Sequence, residues 1–464
     1  MALMKSISGI RGTIGGCPNE GLNPLSISRF TYAYALQRKQ ALNTEHPTII
    51  VGRDARISGP MVRDIVVGTL TACGCHVLDI GLATTPTTEM AVLHTQHAAG
   101  GIIITASHNP KEWNALKLLN EKGEFISDQE GKKIIAISED ENLFQYAPVE
   151  EMGSVSYADF LPFHVDKILA LPEINVDAIK KTQFSVAFDG INSVGGIALP
   201  YLLERLGVSS VFAIHDKPTG DFAHNPEPLP KHLTELSQLV LEHHADLGIA
   251  VDPDVDRLAL YDEKGNPFGE EYTLVAVADY MLSYHGKGNT VSNLSSSRAL
   301  RDITEKRGLY TPAAVGEVNV VKQMKDTKAL IGGEGNGGVI LPSLHYGRDA
   351  LVGIALILSF LAEKKCSLST LRTGYPAYYM CKERVNLPQG TSFHDIKESI
   401  LSLYPTAEKD TTDGIKFDFP ANWLHIRSSN TEPILRIYSE ARSEEEALAL
   451  AREAKTKIES LLFS

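Results

Sequence analysis

The stretch GGIIITASHNPKEWNALK, Gly100 to Lys117, decides how this chain is read. Its isoleucine run, bounded by glycines, predicts a short interior strand, and the polar residues directly after it belong to a loop at that strand's carboxyl end. Ligands bind at that end of open α/β sheets. Ser107, next to His108 and before Lys117, is therefore placed where a nucleophile could sit.

The flanking sequence alternates strand and helix signals. Thr48 to Val51 is a β-branched run ending in the polar GRDARISG, after which Val62, Ile65, Val66 and Leu70 recur at helical spacing toward Gly74. Val77 to Ile80 predicts the next strand, and TTPTTEMAVLHTQHAAG a helix entered through threonines, with Pro86 near its start. This βαβαβ order predicts a mostly parallel sheet with helices on both faces.

The rhythm returns from FSVAFDG through the strand LGIAVD ending at Asp252, and again from EEYTLVAVADYMLSYHG to a helix at Asp349 to Lys365. Three such blocks suggest repeated units, although no strict period is present. The last part differs: CKERVNL, a helical SFHDIKESILSLY, strand-like runs around Arg427 and Tyr438, and a final amphipathic helix opened by SEEEA form an α+β pattern. The expected fold is thus α/β, three similar mixed-sheet domains over residues 1–150, 151–264 and 265–372, followed by a smaller α+β domain over 373–464.

Composition narrows the function. The 43% hydrophobic and 22% charged fractions are those of a globular protein. Forty-four Lys and Arg against 57 Asp and Glu leave a net charge of −13, which repels polyanions and argues against a nucleic-acid partner. A small phosphate ligand then needs local basic groups or a metal. Five scattered cysteines fit a reducing compartment, and Cys73-Gly-Cys75-His76, lacking a second cluster, reads as core packing. MALMKSISGIRG has no apolar signal core and Ala350 to Ala362 is too short to cross a bilayer, so a cytoplasmic protein with no membrane partner is expected.

Three further stretches could carry chemistry. Asp252-Pro253-Asp254-Val255-Asp256-Arg257 follows an apolar strand; in an extended loop alternate residues face one way, so the three carboxylates converge on a hard cation such as Mg²⁺. Gly333-Glu334-Gly335-Asn336-Gly337-Gly338 matches the dinucleotide pattern G-x-G-x-x-G, but leads into the strand-like VILP instead of a helix, and that reading is set aside. Glu334 and Asn336 could hold sugar hydroxyls, and a plain glycine-rich hairpin fits equally. Arg427-Ser428-Ser429-Asn430-Thr431-Glu432-Pro433 offers a guanidinium fork with clustered donors for a phosphate, or is an ordinary polar turn. Arg11, Arg53 and Lys117 add cations near the first sheet.

In this order, TASHNP, DPDVDR, GEGNGG and RSSNTEP resemble the phosphoserine, metal, sugar and phosphate loops of the α-D-phosphohexomutase family, and SGIRG, VGRDAR and NPEP extend the similarity over nearly the whole chain. The resemblance implies four domains around a central cleft. It implies that Ser107, primed by a hexose 1,6-bisphosphate, carries a phosphoryl group that passes to a sugar monophosphate, with Mg²⁺ on Asp252, Asp254, Asp256 and the Ser107 phosphoryl. Lys117, Arg11 and Arg257 would steady the moving group; Arg427, Ser429, Asn430 and Thr431 would hold the stationary one, and Glu334 and Asn336 the hydroxyls.

Two positions depart from the family pattern. Gly338 stands where bacterial relatives carry a histidine acid/base, leaving His108, Lys117 and a swung-in His345 as candidates. Ala115 stands where many relatives have glycine. The GEGNGG and GRDA forms look most like the archaeal-type phosphoglucosamine mutase branch, with phosphomannomutase and phosphoglucomutase activity open. A monomer or homodimer acting on a small sugar phosphate is expected. A serine-dependent metal phosphatase and a non-catalytic sugar-phosphate binding protein use the same parts.

Overall fold

The computed structural model describes residues 3–6, 9–17, 20–388, 390–429 and 434–463. One unit recurs three times. In the first, strands Thr48–Arg53, His76–Leu82 and Ala98–Ile104 run parallel, and a fourth, Trp113–Leu119, turns back antiparallel to the third. The same fourth–third–first–second order holds for Ser185–Asp189, Ser210–Ile214, Leu247–Val251 and Leu258–Asp262, and again for Thr290–Asn293, Tyr310–Ala313, Ile331–Glu334 and Gly338–Ile340. The parallel strands are joined by helices, which a parallel crossover requires; the third and fourth strands need only a short loop.

The first sheet is extended at both edges. Leu3–Ser6 and Gly9–Thr13 add antiparallel beside Trp113–Leu119, and Val155–Tyr157 adds parallel to His76–Leu82. This sheet is as antiparallel as it is parallel, against the mostly parallel expectation, because periodicity predicts strands but not their direction. Val155–Tyr157 also carries the first unit past the expected boundary at 150.

Helix Ala350–Lys364, whose apolar run covers every face, is buried along almost its whole length. It packs against helix Glu270–His285 of its own unit and against Leu161–Leu169, Val176–Thr182 and Gly195–Leu206 of the second, so these two units share one core. A helix apolar all round needs such a position. Among the described residues, no helix is long and apolar enough to cross a membrane. Cys73 and Cys75 lie in the first unit's core, where burial pushes their thiols up to about 12 and about 11.

The last domain is one antiparallel sheet, ordered Tyr379–Asn386, Ile434–Ala441, Trp423–Ser428, Ile415–Asp418 and Glu408–Asp410, backed by helices Phe393–Leu401 and Glu444–Phe463. It docks on the third unit through polar contacts: Ser295 Oγ to His425 Nδ1 at 2.9 Å, Lys416 Nζ to the Leu294 carbonyl at 2.7 Å, and the Arg298–Asp418 pair.

Candidate active site

The loop between third and fourth strands is the same structural position in all three units, and each copy carries different chemistry. In the first unit it is residues 105–112, with Ser107; in the second, 252–257, with the three aspartates; in the third, the turn after Glu334, with Asn336.

Ser107 Oγ donates to Asp252 Oδ2 at 2.7 Å and lies 3.3 Å from His108 Nδ1. Its backbone has φ +49°, a left-handed conformation that costs a non-glycine residue roughly 1 to 3 kcal/mol unless its surroundings hold it. They do. The Ser107 N–H donates to Thr105 Oγ1 at 2.9 Å, and that hydroxyl donates to Asp54 Oδ2 at 2.7 Å. Arg56, fully buried, pairs through Nε with Asp54 Oδ2 at 3.0 Å and donates to the carbonyls of Ser107, Asn109, Pro110 and Trp113 at 2.5 to 2.9 Å. Of the two arginines in VGRDAR the sequence favours Arg53, but Arg56 clamps the serine loop while Arg53, among the described residues, donates to the Asp54 carbonyl next to it. The cue is Asp54-Ala-Arg56 itself, charged residues directly off a buried strand.

The aspartates converge as expected, but by another route. The 252–257 loop is a turn, not an extended segment: the Val255 N–H donates to the Asp252 carbonyl, and the N–H groups of Asp256 and Arg257 to Asp252 Oδ1 at 3.1 and 3.2 Å. Val255 takes φ +61°, rare for a β-branched residue. All three carboxylates are fully buried, with candidate ligand oxygens within 4.8 Å of one another.

Each carboxylate has one oxygen pinned by the protein. Asp252 Oδ1 holds backbone N–H groups; Asp254 Oδ2 accepts from Thr85 Oγ1 and Lys117 Nζ, both at 2.6 Å; Asp256 Oδ2 accepts from Arg348 Nη2 at 2.7 Å and Lys117 Nζ at 3.3 Å. Among the described residues, the remaining Asp254 Oδ1 and Asp256 Oδ1 are buried without a hydrogen-bond partner, and Asp252 Oδ2 has only the serine hydroxyl. Three spare oxygens beside a serine form a set suited to a hard divalent cation. Burial, then Asp256 and Asp254, pushes the Asp252 carboxyl well above the usual range, as a site short of positive charge requires.

Lys117 is buried, which by itself lowers an ammonium, yet Asp254 and Asp256 hold it above its ordinary value. It is therefore a fixed cation and not a base. Burial, Arg257 and Arg11 push the His108 imidazole down to about 2 and keep it neutral. Arg11 Nη1 donates to Asn109 Oδ1 at 2.7 Å, and Arg257 lies 3.7 Å from Glu227.

Arg348, which the sequence did not single out, joins two loops by binding Asp256, Glu317 and, at 3.2 Å, Glu334 Oε2. A Cβ at Gly338 would lie 2.3 Å from Arg348 Cδ, so the arginine stem fills the space a histidine would take there. Glu334 Oε1 accepts from Asn293 Nδ2 at 2.9 Å; Asn336 is half-buried on the turn, which is a glycine hairpin. Ala115 lies in strand Trp113–Leu119 outside the left-handed region, so glycine is not needed.

His345 is a correction. Its Nδ1 lies 3.3 Å from Glu89 and its Nε2 3.3 Å from Asp349, which also holds His164 at 3.0 Å. Nε2 is hydrogen-bonded to Asp349, and Nδ1, without a hydrogen bond among the described residues, is buried against Glu89, so neither nitrogen opens toward a sugar. Burial would lower this imidazole, but Asp349 and Glu89 raise it to about 10, while burial pushes Glu89 up to about 8. The folded value of His345 exceeds the unfolded one near 6.5, so its contribution is full below that pH and lost as pH rises through 10. His345→Gln is expected to lower the melting temperature at pH 7 and to flatten its decline between pH 7 and 10. An unchanged melting curve at both ends would contradict this reading.

A cleft of about 1000 Å³ opens between the second and third units and the last domain, lined by Glu227, Glu271 and Tyr272 on one side and Lys382, Arg436 and Tyr438 on the other. Arg427 pairs in register with Arg436, whose Nη2 is 3.5 Å from Ser429 Oγ. Arg427 and Ser429 thus lie beside an arginine of the last domain's wall. Asn430 and Thr431 lie outside the described residues.

Comparison with known proteins gives the same outline. Sequence profiles of phosphoglucomutase/phosphomannomutase alpha/beta/alpha domains I, II and III match residues 4–144, 162–265 and 269–379, and that of the C-terminal domain matches 386–457. The chain is 36% identical over 447 residues to a phosphoglucomutase/phosphomannomutase of Thermococcus kodakarensis, covering 94% of this chain and 95% of the other. It is 31% identical over 457 residues to a phosphoglucosamine/phosphogalactosamine mutase of Sulfurisphaera tokodaii, covering 95% and 98%. A crystal structure of a phosphoglucomutase/phosphomannomutase family protein from Burkholderia thailandensis superposes with a TM-score of 0.84 at 25% identity, over 98% of both chains.

Proposed function

The chain belongs to the phosphoglucomutase/phosphomannomutase family, and from that premise we propose that it interconverts the 6- and 1-phosphates of a hexosamine through phosphorylated Ser107 and a bisphosphate intermediate. The observation that carries the reading is the 2.7 Å contact joining the Ser107 hydroxyl to a buried carboxylate cluster with two unpartnered oxygens.

Asp252, Asp254, Asp256 and the Ser107 phosphoryl would hold a Mg²⁺ ion, which when bound neutralises phosphoryl charge and polarises phosphorus. The chain's own groups do the rest. Arg56 and Thr105 fix the serine backbone through its carbonyl and N–H, and Lys117, Arg11 and Arg257 would surround the phosphoryl group as it moves. The bond from phosphorus to Ser107 Oγ breaks as the bond to the sugar hydroxyl oxygen forms. The hydroxyl proton passes to Ser107 Oγ, which leaves phosphorus as the new bond forms, beside His108 Nδ1 at 3.3 Å. The bisphosphate then turns round, and the reverse transfer takes its other phosphoryl group. Glu334 and Asn336 would hold hydroxyls in either orientation, while Arg427 and Ser429, with Asn430 and Thr431, would hold the stationary phosphate.

The names of the relatives divide between hexose and hexosamine substrates; the GEGNGG and GRDA loops favour glucosamine phosphate. A panel of glucose, mannose, glucosamine and N-acetylglucosamine 1-phosphates, ranked by kcat/KM, is expected to place glucosamine first. Release of inorganic phosphate should be far slower than isomerisation for each substrate. Dominant phosphate release would make the protein a phosphatase, and no turnover with any substrate would leave a binding protein.

A further inference from the structure

The second unit holds a group of side chains that the phosphoryl chemistry does not use. Asp189 ends its first strand, His215 follows its second, and His224 lies in the loop leading to Glu227. His215 Nδ1 is 3.1 Å from both Asp189 oxygens, and His224 Nε2 is 2.9 Å from Oδ2. The carboxylate side chain is 1% exposed, the imidazoles 16% and 17%, so the group is anchored inside and open to water on its outer side.

Hydrogen bonding fixes what these rings present. His224 Nδ1 is 2.8 Å from the Asn225 carbonyl, which only accepts; the proton of the neutral ring is therefore on Nδ1, and Nε2 turns a lone pair toward Asp189. His215 Nε2 faces the Glu235 carboxylate at 3.5 Å, while its Nδ1 is turned to Asp189. Two ring nitrogens and a carboxylate thus converge, their ligand atoms within 4.8 Å of one another, and positive charge, as ring protons or as a bound cation, lies among them. His215 is also held at φ +50°, a conformation retained where the surroundings over-determine it.

We propose that Asp189, His215 and His224 form a second metal site, for a Zn²⁺-class transition ion, separate from the all-oxygen aspartate site. Two imidazole nitrogens and one carboxylate are the donors such ions prefer, with water completing the shell. Glu235 and the Asn225 carbonyl stand as the outer partners that orient ligating histidines. The ion would order the loop between His215 and Glu227. That loop places Phe222 5.0 Å from the Arg56 guanidinium and Glu227 3.7 Å from Arg257, so the site would brace the serine-loop clamp from the neighbouring unit.

Co²⁺ is the probe, added to metal-stripped protein in excess Mg²⁺, which competes for the aspartate site. One equivalent with the strong visible absorption of nitrogen-ligated cobalt is expected in the wild type and in Asp254→Asn, and its loss in His215→Gln and His224→Gln. Circular dichroism establishes that each variant is folded, and His243→Gln, on the same unit but outside the group, should keep the band. Zn²⁺ should raise the melting temperature of the wild type but not of His224→Gln. Folded wild type without the band, a band unchanged in folded His224→Gln, or ¹⁵N resonances showing both rings doubly protonated with Zn²⁺ present would overturn the proposal.

Discussion

Ser107→Ala protein is expected to isomerise its sugar phosphate more slowly than wild type by about 10⁴-fold or more, the scale on which removal of a covalent nucleophile acts. The hydroxyl of Thr105, the nearest by sequence, is committed to Asp54 and to the Ser107 N–H, so it cannot take over. Alanine tolerates the left-handed backbone about as poorly as serine does, and the Arg56 contacts are to carbonyls, which the substitution leaves in place. The variant should therefore fold and bind its substrate. Turnover within tenfold of wild type would remove Ser107 from the chemistry.

The largest loss of stability is expected at Arg56. Arg56→Leu strands the Asp54 carboxylate in the protein interior and removes the donors from four carbonyls. Breaking a buried pair by deleting one partner costs about 3 to 5 kcal/mol. The melting temperature should fall by roughly 10 °C. Burial already pushes the Asp54 carboxyl upward, and without Arg56 it rises further. An acid whose folded value exceeds its unfolded one is favoured protonated, so the variant's deficit should narrow as pH falls from 7 toward 5. Arg56→Lys keeps the charge but not the planar fork, and should lose less stability. A melting temperature unchanged in Arg56→Leu would show that the clamp does not hold the loop.

What the sequence disclosed follows from what one-dimensional patterns contain. An isoleucine run closed by TASHNP shows a strand and the loop at its end, and three aspartates at alternate positions point to a carboxylate cluster. The spacing did not show how the aspartates meet: the convergence comes from a turn closed on Asp252, with Val255 in the left-handed region, and an extended segment was the simpler reading. Nor did it show that the three loops occupy one position in a repeated unit, because the hydrogen-bonded strand order is repeated while the loop side chains differ. Arg348 and Thr85 reach the aspartates across separations of 92 and 169 residues, and no local pattern marks such contacts. His345 failed for the opposite reason. It lies near the right loops in sequence, but Glu89, from helix Thr85–His94 of the first unit, and Asp349 turn it inward.

The proposed chemistry requires the Ser107 oxygen to exchange a phosphoryl group with a sugar. Its most direct test is the intact mass of the protein, with peptide mapping, after dephosphorylated enzyme meets a hexose 1,6-bisphosphate and Mg²⁺. A single added phosphoryl group on Ser107 is expected, discharged when a hexosamine monophosphate is supplied and absent from Ser107→Ala. An enzyme that turns over at full rate with Ser107 never modified would contradict the account.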